Sequence, residues 1–266
     1  MATQPADNLP LFYNNLIPLQ SGIHANYRTR VAEKAPFLTK AHAIPVTIDE
    51  FVNAQRYFPI VFSVGDNPVP LALMGLNEGV NVFVDDSGEL RGEVYVPAYV
   101  RRYPWLLARS SPDAAEMSLC FDPDSGLIGE FEEGDKLFDG DKPSTATNNV
   151  VKFCEDFEMS AQRTGAFVKE LQNMELLMDG EVSIQLDSEP QPYVYRGFLM
   201  VNEEKFRALP ADELRKLHDN GILPLVVAHL FSLSLIRDIF GRQMQQGKVP
   251  PQTAPNGAAN PALQTN

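Results

Sequence analysis

Arg101-Arg102-Tyr103-Pro104-Trp105 is the most specific local feature of the sequence. Two guanidinium groups next to aromatic rings suit the binding of a carboxylate, phosphate or sugar acid, because arginine offers a planar fork of donors and the rings offer a stacking face. A competing demand acts on the same residues: either arginine can bind loop carbonyls or the chain's own carboxylates while Tyr103 and Trp105 enter a core. A second pair, His229 and Ser232, lies three residues apart in an apolar run and so shares one helical face. Nucleophilic catalysis by that pair needs an orienting acid and an oxyanion hole, and Ser232 stands in no GxSxG elbow. A buried histidine bonded to the backbone is the plainer expectation. The candidate ligand-binding set is therefore Arg101, Arg102, Tyr103, Trp105, His229 and Ser232, with no catalytic residue assigned.

Other chemistries find little support. His24, His42 and His218 form neither an HxH nor an HExxH pattern, so no metal is expected. Asp122-Pro123-Asp124-Ser125-Gly126 begins like a calcium loop but has Gly126 and Leu127 where an EF-hand needs an oxygen donor and a glycine, which favours an Asx turn. Neither a phosphate-binding loop nor a dinucleotide fingerprint occurs, and no cofactor is expected. Cys120 and Cys154 are too few for a disulfide framework and read as packed thiols.

The elements that must hold these residues read as a mixture of types. Thr47 and Glu50 have capping-box spacing for a short helix through Ala54. Strands are expected near 58, 69, 81, 117, 181 and 195, the first three as an antiparallel meander with a turn at 86–88. Pro97 and Pro104 bracket a short helix that carries the arginines. Apolar residues from Val150 to Met178 recur at helical spacing, with Ser144, Thr145 or Thr147 as cap and Asp179-Gly180 as stop. Between Glu130 and Asp141 six carboxylates face one lysine, the only candidate seam. Gly221 to Ile236 is apolar but short for a membrane span and reads as a buried helix.

The chain of 266 residues carries 35 acidic and 22 basic side chains, a formal charge of −13. That balance disfavours nucleic acid and anionic lipid as general partners, since both require clustered cations. The first thirty residues show no basic region followed by an apolar core, so cytoplasmic residence is the default expectation. Residues 1–40 read as an irregular arm, 41–242 as one α+β domain, and 243–266 as a disordered tail rich in proline with scarcely any apolar bulk.

Three blocks resemble the bacterial SapC family, which is named for a surface-layer-associated protein. They are EFVNAQRYFPIVFSV from Glu50 with PLALMGLNEGVNVFVDDSGEL after it, YVPAYVRRYPWLLA from Tyr95, and YRGFLMVNEEKFRALPADELRKLHDNGILPLVVAHLFSLSLI from Tyr195. Trp105 stands where the family commonly has Phe. The resemblance implies a non-catalytic accessory protein associated with the cell surface or with outer-membrane uptake; the arginine-aromatic cluster itself gives the expectation that a protein partner or a small anionic ligand binds around Arg101 and Arg102. The alternative is an enzyme on a small anionic, peptide or sugar substrate, with an arginine clamp and His229 as acid/base. The fold expected is α+β, a mostly antiparallel sheet against the long helix and the C-terminal apolar helix.

Overall fold

The computed structural model describes residues 9–109 and 117–250. Its strands are β1 (Ile17–Pro18), β2 (Arg28–Thr29), β3 (Ala43–Pro45), β4 (Ile60–Phe62), β5 (Pro70–Leu73), β6 (Trp105–Arg109), β7 (Met117–Phe121), β8 (Ile128–Gly129), β9 (Asp135–Lys136), β10 (Phe138–Asp139), β11 (Lys142–Pro143), β12 (Leu177–Ile184) and β13 (Tyr193–Val201). Its α-helices are α1 (Ser21–His24), α2 (Phe51–Ala54), α3 (Ala98–Arg102), α4 (Thr145–Asn173), α5 (Glu203–Arg207), α6 (Ala211–Asp219), α7 (Ile222–Ser232) and α8 (Ile236–Gln245). The class is α+β, with antiparallel pairing throughout.

Among the described residues the chain groups into two compact units, one drawn from the stretches 1–35 and 98–159 and the other from 36–97 and 160–266, so each is assembled from separate stretches of sequence. The helix α4 contributes to both. In the first unit the sheet order is β1-β7-β6, and Trp105 pairs in register with Phe121. Trp105, Phe121, Ile128, Leu137, Phe138 and Cys154 are buried together as its core. The segment expected to be an irregular arm is part of this unit: β1 extends the sheet, and β2 lies between β8 and β9. The boundaries near 35, 97 and 159 come from long-range packing and leave no compositional mark, unlike the acidic 130–141 stretch.

In the second unit β12-β13-β4-β5-β3 form a five-stranded antiparallel sheet. The strands near 58, 69, 181 and 195 meet here, whereas the strand near 117 belongs to the first unit. The segment near 81 forms no strand beyond a Val84–Leu90 bridge. Asn81 explains this local geometry: it is fully buried, and its Nδ2 donates to the Leu38 and Ala41 carbonyls at 3.0 Å each, fixing an irregular course.

Helix boundaries follow their caps. Ser144 Oγ accepts from the Thr147 amide at 3.2 Å and opens α4. The helix closes at Asn173 rather than at Asp179-Gly180: Glu175 takes a left-handed conformation (φ 52°), the Leu176 amide returns to the Leu171 carbonyl, and Gly180 lies inside β12. The Thr47–Glu50 capping box is formed and leads into α2. At the other end α8 runs through Gln245, so order continues past residue 242. Gln243 is fully buried there. Of the expected tail, 251–266 lies outside the described residues.

Candidate functional site

Consecutive residues on a helix point in different directions, and this separates the two arginines of α3. Arg102 turns inward, 4% exposed, and its Nη1 reaches Glu158 Oε1 at 3.0 Å. Its guanidinium carbon lies 4.8 Å from the centre of the Tyr99 ring and 4.2 Å from that of Phe157. Its charge lowers the tendency of the Tyr13 and Tyr99 hydroxyls to rise in pKa, although burial prevails and both rise. Arg102 is thus a packed cation of the first unit. Arg101 turns outward and lies 5.3 Å from the Phe153 ring centre. Trp105 is buried against Phe121, and its carbonyl accepts a 2.6 Å bond from the Tyr13 hydroxyl. Tyr103 is half-buried, its hydroxyl pushed up to about 12 by burial and then by the negative charges of Asp122 and Asp124. Asp122 closes an Asx turn, accepting from the Asp124 amide at 2.9 Å, with Gly126 left-handed after it.

His229 and Ser232 belong to the second unit, on α7, and both are fully buried. Strand β13 pairs with β4 at Leu199 and Phe62, so the next antiparallel partners two residues along are Val201 and Ile60. At that position the imidazole stands between the strands. Its Nε2 accepts from the Val201 amide at 3.0 Å, which leaves Nδ1 as the protonated nitrogen donating to the Ile60 carbonyl at 2.8 Å. Ser232 completes the arrangement: its Oγ accepts from the Ile60 amide at 2.9 Å and donates to the His229 carbonyl at 2.6 Å. Both backbone groups of Ile60 are therefore satisfied by the helix, and the ring substitutes for a missing rung of the sheet. Burial pushes its pKa down to about 4, against the opposing bond to Ile60. Neither ring nitrogen is available to a substrate, so the acid/base role weighed from sequence has no atom to perform it.

A different constellation surrounds a cleft of about 250 Å³ in the second unit. The exit of α2 contributes Arg56 and Tyr57, the 83–94 segment contributes Phe83, Arg91 and Glu93, and the end of the α7–α8 path contributes Leu235, Asp238 and Arg242. The elements are fixed by buried and half-buried bonds. Gln243 Oε1 accepts from the Leu76 amide at 2.6 Å, Gln246 Nε2 donates to the Val82 carbonyl at 3.0 Å, and Lys248 Nζ donates to the Asn81 carbonyl at 2.8 Å. These clamp α8 onto the loop that carries Phe83, and the Arg242 guanidinium carbon sits 5.0 Å from the centre of that ring. Arg91 Nε donates to the Val84 carbonyl at 3.3 Å, and the residue as a whole is exposed.

The electrostatic character follows from what these arginines lack. All three are exposed, and among the described residues no ion pair joins Arg56, Arg91 or Arg242 to a carboxylate. With Glu93 and Asp238 also lining the cleft, it carries a local excess of one positive charge inside a chain of −13. Three cations around one cavity repel one another, and an anion between them relieves that repulsion while accepting bidentate bonds. Sequence reading missed the cleft because its arginines lie far apart along the chain. Among the described residues, no group of three or more His, Cys, Asp or Glu side chains is placed to hold a metal ion.

An α+β protein with an arginine-lined cleft and a histidine built into its sheet is the class that the geometry defines. The SapC family model matches residues 19–239, most of the sequence, and the chain belongs to the SapC family. No curated protein and no solved structure matches it. The match takes in Arg56, Arg91, His229 and Ser232, and Arg242 lies just beyond its end.

Proposed function

We propose that this SapC-family protein is a non-catalytic accessory protein that acts by binding a small anionic ligand in the cleft of Arg56, Arg91 and Arg242. The observation that carries the reading is that Arg56, Arg91 and Arg242 line one cavity of a strongly acidic chain and that, among the described residues, none of them is in an ion pair with a carboxylate. Binding is favoured over turnover because the histidine best placed in sequence for proton transfer has both ring nitrogens in backbone bonds. The ligand site moves accordingly from Arg101 and Arg102 to the cleft, since Arg102 is already paired with Glu158. Association with a surface layer or with outer-membrane uptake belongs to the same proposal and rests on the family resemblance, the first on the family's name.

Thermal unfolding in the presence of inorganic phosphate, carboxylates and sugar acids tests it. A ligand at a hundredfold its Kd stabilises by about 2.7 kcal/mol, a shift of several degrees in Tm. The shift disappears in Arg56→Ala/Arg242→Ala and persists in Arg101→Ala. Equal shifts in the two variants would transfer the site elsewhere.

A further inference from the structure

The cleft opens onto a second feature that the binding of a small anion leaves unused. Pro224, Val227, Phe231, Leu235, Asp238 and Arg242 follow one another at steps of three or four, so they form one stripe along the continuous helical path of α7, the short 3-10 turn Leu233–Leu235 and α8. The lower part of the stripe is polar and lines the cleft; the upper part is apolar and faces outward. Phe231 is 70% exposed, an unusual state for a large aromatic side chain, and Val227 and Leu235 are half-buried. From Ile222 to Leu235 the only ionisable side chain is His229, which points into the core. The path Ile222–Gln245, 24 residues, is long and apolar enough by length and composition to cross a membrane, yet only 39% of its most apolar stretch is buried. An apolar helix with one face in a core normally has its other face polar. Here the other face is apolar up to the point where the arginines begin.

We infer that the ligand is a single-chain amphiphilic anion, whose carboxylate or phosphate head sits among Arg56, Arg91 and Arg242 while its aliphatic tail lies over Leu235, Phe231 and Val227. This inference rests on the anion-binding reading above and adds the nature of the attached group. Charge complementarity fixes which end goes where, because the cations and the apolar residues occupy opposite ends of one stripe. Glu93 and Asp238 on the cleft lining set a limit on the head: a local excess of one positive charge suits a singly or doubly charged group and not a polyanion. The net charge of −13 repels the whole protein from an anionic bilayer, which selects a single dissolved molecule over a membrane surface.

The full-length protein is titrated by calorimetry with inorganic phosphate and with butyl, hexyl and octyl phosphate, each held monomeric. The affinity rises about two- to fourfold per added methylene, as partial burial of each group requires. Phe231→Ser, at an exposed position that leaves the core untouched, flattens this chain-length dependence and leaves the affinity for inorganic phosphate unchanged. Arg56→Ala/Arg242→Ala weakens the whole series by tenfold or more. Octyl phosphate binding no tighter than inorganic phosphate overturns the amphiphile and leaves the anion site standing. Failure of every probe to bind overturns both. Octyl phosphate binding that ignores both variants reveals unspecific adsorption, and binding to anionic vesicles alone identifies a bilayer surface; either result overturns the inference.

Discussion

Replacing His229 by leucine removes the ring that bridges two strands and leaves a side chain of comparable bulk that bonds to nothing. The Val201 amide loses its acceptor at 3.0 Å and the Ile60 carbonyl loses its donor at 2.8 Å, in a place with no access to water. Each orphaned buried group costs about 1–3 kcal/mol, so the substitution costs roughly 2–6 kcal/mol. That is a large part of the roughly 5–15 kcal/mol by which folded domains are stable. Amide hydrogen exchange at Ile60, Leu199 and Val201 reads the loss within the second unit alone, whereas fluorescence from the single tryptophan, Trp105, reports on the first. The pH dependence adds an independent signature. Burial holds the folded imidazole at a pKa of about 4 against an ordinary 6.5, so between those values the unfolded chain binds the proton more strongly. The histidine's contribution is complete above pH 6.5 and is lost as pH falls towards 4; at about 1.4 kcal/mol per pH unit the loss is about 3 kcal/mol. The gap between wild type and His229→Leu therefore narrows on acidification. A loss below about 1 kcal/mol at pH 7, or parallel pH profiles, would refute the bridging role.

Arg102→Ala removes a buried cation from Glu158, Tyr99 and Phe157 and destabilises by about 3–5 kcal/mol, whereas Arg101→Ala changes stability by less than about 0.5 kcal/mol; urea unfolding compares the two. Gly180→Ala places a Cβ about 2.0 Å from the Phe198 ring and destabilises the β12–β13 pair, seen as a lower Tm, while Gly241→Ala, where a Cβ meets nothing within 4 Å, does not. The Cys120 and Cys154 thiols are buried and pushed up in pKa, Cys154 to about 11 by burial first and then by Glu158 and Glu155; a thiol reagent at pH 8 modifies them only as fast as the first unit opens.

Local signals in the sequence were sufficient for what local physics decides. The capping box at Thr47, the β4–β5 hairpin, the proline-bracketed α3 and the apolar period of α4 each depend on residues a few positions apart, and each is present. The apolar spacing carries the expected helix on to Asp179-Gly180, past the end of α4 at Asn173, because it continues through Met178 as alternation in a strand, and Glu175 is an uncommon residue for a left-handed turn. The adjacency of Arg101 and Arg102 in sequence suggests a clamp, but helix geometry aims them apart. The role of His229 depends on the register between β13 and β4, and the cleft depends on which distant segments α8 is bonded to. Neither is encoded in spacing, because both arise only when strands or loops more than a hundred residues apart are brought into contact.

The proposed anion site rests on Arg56, Arg91 and Arg242, whose guanidinium Nε–H resonances report on it directly. Titration of the isotopically labelled protein with inorganic phosphate at pH 7 should shift these three signals together along one saturating curve, while the signals of Arg101 and Arg102 stay in place. Shifts centred on Arg101, or three arginine signals that drift without saturating, would contradict it.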